Sequence, residues 1–324
     1  MSKTVLITGA GAGFGRDAAV TLANAGHTVF ASMRDPRGRG RDQAEALRQQ
    51  GVEVVEIDVA DDASVESGVK AVFARAGRID VLVNNASIAA AGVTEAFTSD
   101  QAKIVLDTNV VGVLRASCAV LPIMRAQREG LIVNIGSILG RVTFPLFGIY
   151  GASKFAVEAI TDSLRYEVSP FGVEVVLVQL SEYPTPMYAS IQQPANPARA
   201  ATYGEIGEFP GKMFERFMGM FAALDAPGPH DVATEVAELV AAPRGGRPPR
   251  LVVGRGFGAD AVNEAVEPIQ RRVIEGLGLG ALALSPARDA ARWQGELRSS
   301  SADGFPSRIA GKCVTAVGPV RRAH

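Results

Sequence analysis

Short runs of Val, Ile and Leu recur along the chain and alternate with stretches in which apolar residues return at helical spacing. The runs at 5–8, 28–33, 53–58, 81–84, 131–135, 173–179 and 250–253 mostly lack polar alternation, as strands covered on both faces do. Between them, Val65, Val69, Val72 and Phe73 mark a helix over 63–76. Val157, Ile160, Leu164 and Val168 mark another, which Pro170 and Gly172 end. Strand–helix alternation repeated this often predicts an α/β fold, a doubly wound parallel sheet with right-handed crossovers. One dinucleotide-binding and catalytic domain is expected over 1–260, with a helical extension over 261–285.

Two regions break the pattern. From 183 to 229 a long insertion separates the last two strands, with prolines at 184, 186, 194, 197, 210, 227 and 229. Its apolar residues include Met187, Tyr188, Met213, Phe214, Phe217, Met218 and Phe221. A connection of this length in a compact domain is usually functional or disordered, and here it is expected to form a lid. From 286 to 324 periodicity is lost and Arg, Ser and Gly dominate, which reads as a flexible tail carrying the only tryptophan, Trp293.

Composition narrows the classes. The chain has 324 residues, 47% hydrophobic and 21% charged, and a net charge of −1 without long single-sign runs. Nothing in that balance points to nucleic acid or an anionic membrane. Cys118 and Cys313 cannot build a disulfide framework and read as reduced thiols. His27, His230 and His324 are scattered, so no metal site is expected. The N-terminus lacks a signal-like pattern and no run of 18 uncharged apolar residues occurs; a cytoplasmic protein outside the membrane is the expectation.

Candidate chemistry begins directly after the first strand, at Thr8-Gly9-Ala10-Gly11-Ala12-Gly13-Phe14-Gly15. Glycines there let the chain turn tightly and bring phosphates to amides at a helix N-terminus, where the dipole favours anions. The second strand ends Met33-Arg34-Asp35. A carboxylate at this place suits the ribose hydroxyl of NAD, whereas an arginine suits the extra phosphate of NADP. Met33 falls at the carboxylate position and Arg34 follows it, which favours NADP(H); Asp35 leaves NAD(H) open. Further on, Tyr150 and Lys154 lie four residues apart, hence on one face of a helix. A phenol beside a fixed cation suits proton exchange with an alcohol oxygen, because the cation favours the phenolate.

Taken together, these motifs resemble the short-chain dehydrogenase/reductase family in its single-domain branch, over roughly residues 3–255. The resemblance rests on Thr8-Gly-x-x-x-Gly13-x-Gly15, Asp58, Asn84-Asn85-Ala86, Asn109, Ser137 and Tyr150-x-x-x-Lys154. It implies a catalytic set of Asn109, Ser137, Tyr150 and Lys154. Ser137 would hold the substrate oxygen, Tyr150 exchange its proton, and Lys154 lower the phenol pKa while bonding the nicotinamide ribose. Asn109 would anchor a water linking Lys154 to solvent. The implied cofactor contacts are Thr8, Gly9, Gly11, Gly13, Phe14, Gly15, Arg34, Asp58, Val59, Asn85, Ala86, Tyr150, Lys154 and Thr185. The resemblance also implies a homodimer or homotetramer and a small-molecule alcohol or carbonyl substrate.

The chain departs from the family pattern twice. Ser87 stands where glycine usually follows Asn-Asn-Ala, and Leu180-Ser181 stands where Pro-Gly is usual. Both changes add side-chain bulk near the expected cofactor. The expected activity is hydride transfer between nicotinamide and an apolar alcohol or ketone; the apolar residues of 183–229 either line that pocket or pack the lid onto the core. A non-catalytic NAD(P)-sensing protein and an NAD-dependent alcohol dehydrogenase are the alternatives.

Overall fold

The structure, a computed structural model, describes residues 1–222 and 228–283. The expected tail over 286–324, with Trp293 and Cys313, lies outside the described residues. In chain order the elements are β1 (Thr4–Ile7), α1 (Gly13–Asn24), β2 (Thr28–Met33), α2 (Arg41–Gln49), β3 (Glu53–Glu56), α3 (Asp62–Ala76) and β4 (Val81–Asn84). There follow α4 (Ser99–Leu106), α5 (Gly112–Gln127), β5 (Gly130–Ile135), α6 (Gly148–Val168) and β6 (Val173–Leu180). The last are α7 (Pro197–Ala201), α8 (Glu205–Phe221), α9 (His230–Ala241), β7 (Arg250–Val253) and α10 (Ala259–Gly276).

The seven strands form one sheet in the order β3-β2-β1-β4-β5-β6-β7, and every pairing is parallel. Alternation along each strand builds two cores, because successive side chains point to opposite faces. Val5, Ile7, Val29, Ala31, Val83, Val133 and Val178 pack with Leu22 of α1, Leu47 of α2 and Val236 of α9. Leu6, Phe30, Leu82, Ile132 and Val175 face the other way, onto Val69 of α3, Val120 of α5 and Leu164 of α6. Chain order reverses direction between β1 and β4, so a crevice opens at the carboxyl ends of those strands, where doubly wound sheets bind ligands.

The rod from Ser99 to Gln127 is long and apolar enough to cross a membrane on composition alone. It lies instead against the sheet, burying Val105, Val113, Val120 and Met124. Arg115 ties it to Asp62 of α3 and, within the rod, pairs with Asp107. Between α4 and α5 the winding loosens into a π-turn over Asp107–Val111.

The described residues of the 183–229 segment form more regular structure than its prolines suggest. It carries a 3-10 turn at Pro186–Ser190, α7 and the 17-residue α8, which runs through Pro210. Tyr188 anchors α8 through edge contacts with Phe217 and Phe221, at 6.0 and 5.1 Å between ring centres. Phe209, Phe214 and Met218 on the same helix remain exposed. Both readings of these apolar residues are partly met: Phe217 and Phe221 pack α8 down through Tyr188, Met187, Tyr188 and Phe217 line a cleft, and the exposed ones do neither.

Candidate active site

Two clefts meet above the carboxyl ends of the strands. The first, about 1160 Å³ and open to solvent, runs past Gly9, Gly11, Gly13, Arg34, Asp58, Val59, Asn85 and Ala86. The second, about 870 Å³, is walled by Ser137, Tyr150 and Lys154 together with Phe144, Phe147 and Leu180. Phe14, Asn85, Ser87, Thr185 and Met187 border both.

The glycine-rich turn divides its work. Gly9 has a φ of +64°, and a Cβ there would stand 2.7 Å from Ala86 Cα. A side chain at Gly15 would run into the Asn85 amide. These two glycines let β1 and β4 close on each other. Gly11 and Gly13 line the cleft itself, and Gly13 has a φ of +55° with nothing nearer than Pro186 Cδ at 4.0 Å. The N-cap of α1 is Ala12, which makes no side-chain cap, and the first turn holds no carboxylate. The helix end is therefore left electropositive toward the cleft, as a phosphate-binding turn requires.

Thr8 and Asn85 lock this arrangement. The Thr8 hydroxyl accepts bonds from the backbone N–H of Asn85 (3.0 Å) and of Ala86 (3.1 Å). The Asn85 amide donates to the carbonyls of Thr8 and Gly9. Thr8 and Gly15 thus shape the cleft from behind rather than line it. Asn84 turns inward, donating to Ser117 and to Asn134, which in turn donates to Thr161. That buried chain of amides ties β4, β5, α5 and α6 together below the site.

At the end of β2, Met33 is buried against the glycine turn, and Arg34 is exposed beside the cleft. Asp35 bends back into its own loop, accepting from the N–H groups of Gly38 (2.8 Å) and Arg39 (2.9 Å). Those two bonds hold its carboxyl below the usual range. Asp58 accepts from Ala60 N–H and also faces the cleft, so its turn-capping and cleft-lining roles coexist.

Tyr150 and Lys154 project from the first turns of α6, with the Lys154 Nζ 5.5 Å from the centre of the phenol ring. Lys154 is buried and donates to the Ile135 carbonyl at 3.1 Å. Burial pulls its pKa down from 10.5 to about 8. Burial likewise pushes the Tyr150 phenol up to about 12, partly opposed by the Ser137 hydroxyl. Among the chain's own groups it is desolvation, opposed by Ser137 and not by the neighbouring lysine, that sets the phenol. Ser137 is held at the start of a 3-10 turn, its Oγ accepting from Leu139 N–H at 3.1 Å.

Asn109 sits in the π-turn and does not reach either cleft. Its side chain clasps the Ile88 backbone from both sides, donating to the carbonyl (2.9 Å) and accepting from the N–H (2.8 Å). It also donates to Ser153 Oγ, which donates to the Tyr150 carbonyl. The segment after β4 is thereby fastened to the helix that bears Tyr150. A π-turn often marks a functional position, because it re-aims one residue in an otherwise regular helix.

The two departures have distinct settings. Ser87 borders both clefts, its hydroxyl buried and without a partner among the described residues. The Ser181 hydroxyl accepts from Arg255 N–H at 3.1 Å, stitching the end of β6 to the loop after β7. Glu182, Tyr183 and Tyr188 also wall the second cleft, and no sequence motif marks them. The sequence signal for Glu182 is a carboxylate placed two residues after an apolar strand end.

Residues 3–196 match the short chain dehydrogenase family profile. The chain is 39% identical over 183 residues to the 3-ketodihydrosphingosine reductase of Bacteroides thetaiotaomicron, a match covering 56% of this chain and 65% of that protein. A protein of Streptomyces virginiae named as a ketoacyl reductase of the monensin polyketide synthase is 39% identical over 243 residues, covering 74% and 88%. Among solved structures, a short-chain dehydrogenase/reductase from Burkholderia phymatum in complex with NAD superposes with a TM-score of 0.68 at 28% identity, over 84% of this chain and 95% of that one. The actinorhodin polyketide ketoreductase with NADPH gives 0.67 at 31%, over 79% and 97%. The chain belongs to the short-chain dehydrogenase family of oxidoreductases.

Proposed function

We propose that this protein reduces a ketone or aldehyde on a largely apolar substrate with NADPH, and oxidises the corresponding alcohol in reverse. The observation that carries this reading is the placement of Tyr150, Ser137 and Lys154 in a mostly apolar cleft that shares a wall with a glycine-lined one. A nicotinamide cofactor fits the glycine-lined cleft, because the turn at Gly11 and Gly13 leaves a bare helix end for its phosphates. When bound, it supplies or accepts the hydride.

The chain's own residues handle the proton and the geometry. Tyr150, kept protonated at neutral pH, donates its phenolic proton to the carbonyl oxygen as the alcohol forms. Ser137 donates a second hydrogen bond to that oxygen and holds it in place. Lys154, cationic below about pH 8, stabilises the phenolate left behind. Phe144, Phe147, Met187 and Phe217 exclude water around the reacting carbon.

Arg34 beside the cleft, with Asp35 drawn into its own turn, supports NADP(H) over NAD(H). A homodimer or homotetramer built through α4, α5 and α6 completes the reading. Fluorescence titration should show clearly tighter binding of NADPH than NADH; equal affinities would overturn the Arg34 assignment. Tyr150→Phe should lower ketone-dependent NADPH oxidation by about 10²–10⁴-fold while NADPH affinity stays within a few-fold. Undiminished turnover would sink the mechanism.

A further inference from the structure

The wall of the substrate cleft is apolar except at a few points, and one of these is a carboxyl group. Glu182 stands two residues past the end of β6, is 9% exposed, and lines this cleft with Tyr150 and Ser137. It does not border the nucleotide cleft, where Thr185 does. Its Oε1 is buried and meets no hydrogen-bond donor among the described residues. Burial raises its pKa, with its own backbone N–H and Arg255 acting the other way. Tyr150, Tyr188 and Glu182 line the same cleft, and the Tyr188 phenol is raised mainly by burial, with Tyr150 and Glu182 adding to it.

A carboxyl oxygen in an apolar wall that meets no donor is costly even with the Glu182 N–H and Arg255 near the group, and that cost is relieved most by a ligand that brings both a proton donor and a positive charge. Evolution of a pocket for a purely apolar ketone would place an apolar side chain here. We infer that Glu182 is a specificity-determining residue that pairs with an ammonium on the substrate, so the protein acts on amino ketones and the matching amino alcohols. The apolar body of the substrate lies against Phe144, Phe147, Ile191 and Phe217. This inference rests on the oxidoreductase reading above, but its test separates the two.

The test compares phenacylamine with acetophenone as substrates for NADPH-dependent reduction by the wild-type protein and by Glu182→Gln. The wild type should prefer phenacylamine by at least about tenfold in kcat/KM, mostly through KM, as a charge-assisted bond predicts. In Glu182→Gln that ratio should fall to within about threefold; reading a ratio inside each protein cancels any general loss of activity. The same ratio in both proteins, or a wild-type preference for acetophenone, would overturn the inference and leave ketone reduction standing. Calorimetric binding of phenylethanolamine to each protein saturated with NADP⁺ reads the ammonium contact without turnover. Inertness toward both ketones would defeat the oxidoreductase reading, and the calorimetry would still decide this one. Weaker binding to the variant supports it, and equal binding overturns it. A drop in NADPH affinity with unchanged ketone discrimination would assign the carboxyl to the nicotinamide instead, and would also overturn it.

Discussion

Lys154 carries a charge that its surroundings disfavour, and the fold tolerates it for the sake of the site. Its folded pKa of about 8 lies below the ordinary 10.5, so the unfolded chain binds that proton more tightly. Stability is therefore lowest below pH 8 and rises as pH climbs from 8 toward 10.5. Each unit is worth about 1.4 kcal/mol, an upper bound of roughly 3 kcal/mol for the whole shift. Lys154→Met should accordingly abolish turnover yet raise the melting temperature at pH 7, with the advantage shrinking as pH rises past 8. Calorimetric scans at pH 7 and 10 check this; a destabilised variant at pH 7 would mean that the bond to the Ile135 carbonyl outweighs the desolvation. Arg34 belongs to the same scale. Its replacement by Ala should cost NADPH about tenfold or more in affinity, one charge-assisted contact's worth, and leave NADH nearly unchanged, so the ratio of the two dissociation constants is the readout.

At the scale of elements, a cluster of buried ion pairs holds the helix that bears Tyr150 and Lys154 against its neighbours. Glu158 lies one turn beyond Lys154 on α6 and pairs with Arg141, which follows the Ser137 turn, and with Arg250 at the start of β7. Gln179 of β6 donates to the same carboxylate at 2.5 Å. Removing one partner of such a cluster strands the remaining charges. Glu158→Ala should thus destabilise the fold by about 3–5 kcal/mol, measured by urea unfolding. A change below about 1 kcal/mol would show that solvent reaches the cluster and compensates.

The legibility of the elements followed their physical simplicity. The strands could be read because Val5, Leu6 and Ile7, or Val175, Val176 and Leu177, are buried on both faces and leave no polar residue to obscure the run. The helix α8 was harder, because Pro210 and three glycines interrupt a stretch that is stabilised by Tyr188 from outside it. Tyr150, Lys154 and Ser137 announced themselves by spacing. Glu182 and Ser87 did not, since their interest comes from which groups surround them rather than from any repeat or motif. The opposed pKa shifts of Tyr150 and Lys154 were equally out of reach, because desolvation depends on burial that no local pattern encodes.

The whole molecule presents apolar side chains that its own fold does not cover. Ile104, Leu106, Val111, Leu114 and Phe155 are between 38% and 52% exposed on α4, α5, α6 and the turn joining the first two. These are the elements through which the proposed homo-oligomer packs. Phe155→Glu should move the protein toward the monomer in sedimentation velocity, since a buried unpaired charge at an interface costs more than the lost ring. An unchanged sedimentation coefficient would place any interface elsewhere.

The π-turn at Asp107–Val111 holds one residue more than a regular helix needs to cover the same turn. An α-helix advances its side chains by about 100° per residue and the wider π-turn by less, so removing one residue there would close the turn and leave the helix after it nearly in register. Val113, Ala116, Val120 and Met124 would keep their buried faces, whereas Asn109 would lose its clasp on Ile88. A single-residue deletion here would therefore undo the fastening of the segment after β4 and spare the core. The extra residue serves the placement of one side chain rather than the packing of the rod.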